Sequence, residues 1–173
     1  MVLRPHDHGL SLLHGRARRA RGVNGRRAAV AGLAAAFVTV APGAAQADGA
    51  KLYATHCSVC HQAGGAGLAG VYPRLAGRGP DLARKPAGRR LMVSAGLYGM
   101  AGRLEVDGKP IMGVMPGFAQ LPDAEVAEVL SYVAGLGGKP APPFKPAEVA
   151  AVRASGRLSP TAVNALARAA PGR

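Results

Sequence analysis

Cys57-Ser58-Val59-Cys60-His61 brings together both cysteines of the chain, and with His56 just before it two of the five histidines. Nothing else in the sequence narrows the possible folds so far, because each chemistry open to such a cluster needs different surroundings. A structural zinc ion needs four ligands in a tetrahedron, usually two well-separated pairs, and here every Cys and His beyond the first 47 residues falls within positions 56 to 61. A thioredoxin-like redox pair opens a helix after a strand in a βαβ unit, and no such pattern flanks the motif. A disulfide across two intervening residues closes a tiny loop and stabilises little.

The remaining chemistry is covalent haem attachment. In C-x-x-C-H the two thiols form thioethers to the two vinyl groups of one porphyrin, and the adjacent histidine, His61, reaches the iron from the same side. The expected cofactor is one haem c held through Cys57 and Cys60. Composition agrees with a large buried group. Aromatic residues make up 4% of the chain and Trp is absent, so a core of Ala, Val and Leu alone would be thin for a small domain. At 173 residues two domains of ordinary size do not fit.

Export is the second expectation. Residues 1 to 27 carry seven arginines against one acid, Ala28 to Ala41 is an uncharged apolar run, and Ala45-Gln46-Ala47 has the small-x-small form of a cleavage site. Residues 1 to 47 therefore read as a signal peptide cut before Asp48, with the protein delivered to the periplasm. The apolar run falls short of the roughly 20 residues of a membrane span, and Pro42-Gly43 ends it. Arg pairs at 18–19 and 26–27 point only faintly to a twin-arginine route. The formal charge is +13, but nearly half of that excess lies in the signal. The rest is concentrated in residues 139 to 173, which hold six basic residues against Glu148 alone. An exported protein is a poor partner for nucleic acid, so the charge reads as a docking surface or as solubility.

Elements can be placed around the motif. Residues 48 to 56 form a short helix running into it. Residues 62 to 88 are too rich in glycine and proline for long elements and read as loop. Arg89 to Tyr98 can make a short helix. Leu104-Glu105-Val106 and Lys109 to Val114 flank Asp107-Gly108, a hairpin signal, although Pro110 makes the expected hairpin small and marginal. Asp123 to Leu136 is an amphipathic helix, with Val126, Val129, Leu130 and Val133 on one face. A proline-rich linker follows, then helical stretches at about 146 to 154 and 160 to 170. The division is a signal at 1–47, a haem domain at 48–138, and a linker with a basic helical tail at 139–173.

The iron needs a ligand opposite His61. His56 is tied by its neighbour Cys57 to the His61 side, which leaves the thioethers. Met92 sits in a helix, Met100 follows Gly99 and is not excluded by spacing, and Met112 and Met115 lie in IMGVMPGF before the last helix. Met115 is the choice, with Met112 the alternative. A His/Met pair raises the reduction potential over two nitrogen ligands.

CSVCH at 57–61, YPRLAG at 72–77, GMAGRLEVDGKPIMGVMPGF at 99–118 and LPDAEVAEVLSYV at 121–133 together resemble the class I monohaem cytochromes c. The resemblance is strongest to the cytochrome subunits and domains of bacterial periplasmic alcohol and sugar dehydrogenases. It covers Gly49 to Leu136, about half the chain. It implies an all-α fold around one haem, with a small hairpin before the axial methionine and the first and last helices crossing near Gly49 and Tyr132. It also implies that the Pro73 carbonyl accepts the outer N–H of His61 and that Met115 is the axial methionine. The family often has Ser or Thr where this chain has Pro122, so Asp123 is expected to cap the last helix instead.

The expected function is one-electron transfer, from a periplasmic dehydrogenase to a membrane oxidase or another cytochrome, and not an enzymatic reaction. The alternative is a haem enzyme or a gas- or peroxide-binding sensor with a displaceable Met115. Arg74, Arg78, Arg84, Lys85, Arg89 and Arg90 against Asp81 form one candidate docking face, and the basic tail another.

Overall fold

A computed structural model describes residues 48–169; the proposed signal lies outside them. Helix α1 (Gly49–His56) starts where Asp48 accepts from the backbone N–H groups of Ala50 and Lys51 at 2.9 and 3.3 Å, a side-chain cap for donors the helix leaves unpaired. Cys57 ends it, and α2 (Ser58–His61) follows at once. Among the described residues there follow a single 3-10 turn (Ala63–Gly65), α3 (Arg78–Ala83), α4 (Pro86–Tyr98), strands β1 (Met100–Val106) and β2 (Lys109–Met115), α5 (Asp123–Val133), α6 (Pro146–Ala154) and α7 (Pro160–Ala169). The fold is mostly helical with one two-stranded sheet, as expected. No helix among the described residues is long and apolar enough to cross a membrane.

Helix α1 crosses α5 at Gly49. A Cβ there would run into the Glu128 carbonyl oxygen and sit 3.1 Å from the Tyr132 Cβ, so the backbones approach only because the side chain is missing. One turn on, the Tyr53 and Tyr132 rings lie 5.2 Å apart. Tyr53 is 2% exposed, and its hydroxyl donates to the Gln62 carbonyl at 2.7 Å. The crossing thus reaches down to the end of the cysteine motif.

The glycine-rich stretch after the motif is ordered by isolated backbone bonds. Gly67 donates to the His61 carbonyl, Leu75 and Ala76 both donate to the Gly65 carbonyl, and Gly77 donates to the Leu136 carbonyl. The loop reading of 62–88 needs correcting at its far end, where α3 forms and α4 begins at Pro86. The first turns of both helices accept the prolines, since the N–H that proline lacks is unpaired there anyway. α5 ends at Val133, three residues short of the expected Leu136.

The hairpin is not marginal. Each arm has seven residues, in register from Met100↔Met115 to Val106↔Lys109. Asp107 and Gly108 have φ of 52° and 71°, the left-handed pair of a type I′ turn. With a two-residue turn, Val106 and Lys109 exchange the first hydrogen bonds, so Glu105↔Pro110 falls at a non-hydrogen-bonded pair. Pro110 forfeits nothing there.

Pro122 starts α5 with no side-chain cap. Asp123 does not cap it, because its carboxylate bonds Arg153 at 2.8 Å. Residues 139–169 are no appendage. Phe144, Val149, Val163 and Ala167 belong to the same buried cluster as Tyr53, Leu97 and Val126. α6 packs on α5, and α7 packs on β1 and α4. Arg89 fastens the proline-rich segment to α4, donating to the Pro142 and Pro143 carbonyls and to both Glu148 oxygens, with its guanidinium 3.8 Å from the centre of the Phe144 ring.

Candidate functional site

Cys57, at the junction of α1 and α2, and Cys60 and His61, in α2, lie within one short segment, and only His61 of the three is buried. Its Nδ1 lies 2.8 Å from the Pro73 carbonyl oxygen. A carbonyl can only accept, so Nδ1 carries the proton and Nε2 keeps its lone pair. Burial pulls the imidazole pKa below its ordinary value, against the opposing pull of the Pro73 bond, and so favours the neutral ring that a metal needs. Burial also pushes the Cys57 thiol up to about 11. The loop bonds described above hold Pro73 in place, helped by Arg74 beside it. Arg74 makes a two-pronged bond to Asp107 at 2.6 and 2.9 Å and so ties the loop to the hairpin turn. That pairing holds the Asp107 carboxyl below the usual carboxylate range.

His61 and Cys57 open onto a cavity walled by α4, α5 and the hairpin. Leu82, Leu91, Val129, Leu130 and Val133 make it apolar almost throughout. It continues toward Cys60 between Tyr72, Pro73 and the residues of β2, and His61, Met100, Met115 and Phe118 border both parts. Alternation along β2 separates the two methionine candidates. Ile111 and Met115 face inward, whereas Met112 is 73% exposed. Met100 lies directly opposite Met115 in the register, and Met92 is buried in the α4 wall. The Met115 backbone is held close: Gly99 (φ 74°) packs so tightly against the Met115 carbonyl and the Gly117 nitrogen that a Cβ would not fit.

Two residues of the cavity were read differently in the sequence. Arg78 appeared there only as a docking cation, yet it lines the apolar wall, where burial lowers its pKa while Asp107 opposes that shift. His56, given no role, lines both parts of the cavity with its ring 5.3 Å from that of Phe118. Neither placement has a local sequence signal. Three cations of the expected docking face make intramolecular ion pairs, those of Arg74 and Arg84 at the surface: Arg74 binds Asp107, Arg84 binds Asp81 and the Lys139 carbonyl, and Arg89 binds Glu148. The tail cation Arg153 is likewise engaged internally. The exposed residues that border the cavity near Cys60 are instead apolar: Val71, Tyr72, Met112 and Val114.

Two thiols and a neutral, oriented histidine at the mouth of a deep apolar cavity with thioether sulfurs on its wall fit a covalently held porphyrin, whose hydrocarbon faces such a wall would cover. Comparison with known proteins agrees. The cytochrome c family matches residues 46–137. A cytochrome c-552 of Thermus thermophilus is 44% identical over 124 residues, 69% of this chain and 82% of its own. A second cytochrome c-552 of Thermus thermophilus is 43% identical over 123 residues, 68% of this chain and 92% of its own. The chain belongs to the cytochrome c family. It carries haem c, attached through Cys57 and Cys60, and is an electron-transfer protein, not an enzyme. Both alignments are longer than the family segment, so similarity to these relatives reaches beyond it.

Proposed function

We propose that the protein is exported to the periplasm and works there as a one-electron carrier, with His61 and Met115 as the axial ligands of its haem. The observation that carries this reading is the His61–Pro73 bond, because it leaves Nε2 as the ligating atom on a ring that shares its cavity with the Met115 sulfur. When bound, the haem supplies a one-electron couple at iron. The protein's own part is to hold the ligands still in both oxidation states. The Pro73 carbonyl fixes the His61 ring and raises its basicity, the Gly99 contact fixes the Met115 backbone, and the apolar wall keeps water from the iron. Arg78 would meet the porphyrin's carboxylates.

The partners are an exported dehydrogenase as donor and a membrane oxidase or another cytochrome as acceptor. They meet the protein at the cysteine-bearing edge, where Val71, Tyr72, Met112 and Val114 offer a rim that buries apolar area on contact, and not at the internally paired arginines of residues 74–90.

The test is the visible spectrum of the ferric protein. A thioether ligand gives a weak long-wavelength charge-transfer band, and Met115→Ala should abolish it and let the ferrous form bind carbon monoxide. Loss of the band in Met100→Ala or Met112→Ala, with Met115→Ala unchanged, would reassign the ligand. Carbon monoxide binding by the unaltered protein would favour a displaceable methionine and the sensor reading.

A further inference from the structure

The segment that follows Met115, residues 116–122, lies outside any helix or strand and supplies Phe118 and Leu121 to the cavity wall. The Phe118 carbonyl accepts from Leu121 and the Pro122 carbonyl from Val126 of α5, which leaves the Ala119 and Leu121 carbonyls to other partners. It is fastened at two places. On the α4 side the Phe118 N–H donates to the Gly96 carbonyl at 2.8 Å. On the other side stands Arg153, in the last turn of α6, 30 to 34 residues beyond the groups it binds. Its Nη1 donates to the Ala119 carbonyl at 2.7 Å, its Nη2 to the Leu121 carbonyl at 2.8 Å and its Nε to Asp123 Oδ1 at 2.8 Å. One rigid fork thus holds both loop carbonyls and the first residue of α5. Arg153 is only partly exposed, so solvent cannot fully replace it.

We propose that Arg153 is a positioning residue for the axial methionine: it holds the 116–122 loop in the shape that keeps the Met115 sulfur on the iron. This rests on the assignment of Met115 as ligand. A thioether is a weak donor, and its occupancy depends on how much the loop gains by moving away. Without the guanidinium, the Ala119 and Leu121 carbonyls and the Asp123 carboxylate all lose a charged donor where the loop is in place, and recover hydration where it swings out. Arg is suited to the task and Lys is not, because only a planar fork reaches three acceptors in fixed directions.

The experiment uses the full-length, haem-loaded ferric protein and imidazole as the probe. Imidazole reaches the iron only when Met115 is off, so its apparent affinity measures the fraction of molecules in that state. Losing charge-assisted bonds of this kind shifts a local equilibrium by about tenfold or more, so Arg153→Gln should bind imidazole about tenfold more tightly. Arg153→Lys should fall between it and the unaltered protein. Arg89→Gln cuts another guanidinium fastening of the same tail, to Pro142, Pro143 and Glu148, none of which lies in residues 115–123. It should lower the melting temperature and leave imidazole affinity within about twofold, the range expected of an uncoupled site. Unaltered affinity in Arg153→Gln would overturn the proposal, as would an equal rise in Arg89→Gln, which would make the effect one of global stability. If Arg153→Gln does not fold, the same comparison between Arg153→Lys and Arg89→Gln decides. Met115→Ala separates the underlying assignment, since it must bind imidazole most tightly of all. If it binds no better than the unaltered protein, Met115 is not the ligand, whatever Arg153 does.

Discussion

A guanidinium on an apolar wall loses hydration, which is why burial lowers the pKa of Arg78. Its charge is also felt more strongly there than in water. Reduction adds an electron to the iron, so a nearby positive charge favours the reduced form. Arg78→Gln should therefore lower the reduction potential by an amount on the order of tens of millivolts, measured by equilibrium redox titration, with the methionine band unchanged. A potential equal to that of the unaltered protein would mean that Arg78 is screened from the iron. The cation was legible in the sequence as a residue but not as a place, because nothing in GRGPD tells a wall from a surface. His61 was legible in both respects: the motif ties it to the cysteines, and the carbonyl that orients it is where the resemblance put it.

At the level of elements, the α1–α5 crossing brings the motif up to the cavity. Gly49→Ala would set a methyl group against the Glu128 carbonyl and Tyr132, an overpacking that costs about 1–3 kcal/mol. Thermal unfolding of the haem-loaded protein should show the loss. Gly113→Ala, with open space around the new methyl, should leave the melting temperature where it was. The hairpin shows why element strength was harder to read than element identity. Asp-Gly announced the turn. Whether Pro110 would break the ladder depended on which pairs exchange hydrogen bonds, and that follows only from the register. The arms also gain support from outside their own sequence: α7 packs along β1, and Asn164 donates to the Ala101 carbonyl at 2.9 Å.

At the scale of the whole molecule, residues 139–169 contribute to the core. Phe144, Val149 and Val163 are buried in it, and burying three such side chains contributes roughly 5–9 kcal/mol, comparable with the roughly 5–15 kcal/mol that hold an entire domain together. A chain ending at Gly138 should therefore lack a cooperative thermal transition and bind its haem in a disordered pocket, seen as loss of the methionine band and of circular dichroism in the haem absorption region. A truncated protein that melts cooperatively within a few degrees of the full chain would show the tail to be dispensable. Partner docking cannot be read from such a truncation, because removing the tail removes fold before it removes charge.

Local chemistry was written in the sequence itself. The cysteine spacing matches one porphyrin, the run Val126, Val129, Leu130, Val133 matches one helix face, and Asp-Gly matches one turn, each within a few residues. Which cations are spent inside the protein, which methionine of β2 faces inward, and whether the basic tail hangs free or joins the core were decided by the tertiary structure. The tail joins the core through partners 30 and 59 residues apart, Arg153 with Asp123 and Arg89 with Glu148, whose meeting no local pattern encodes.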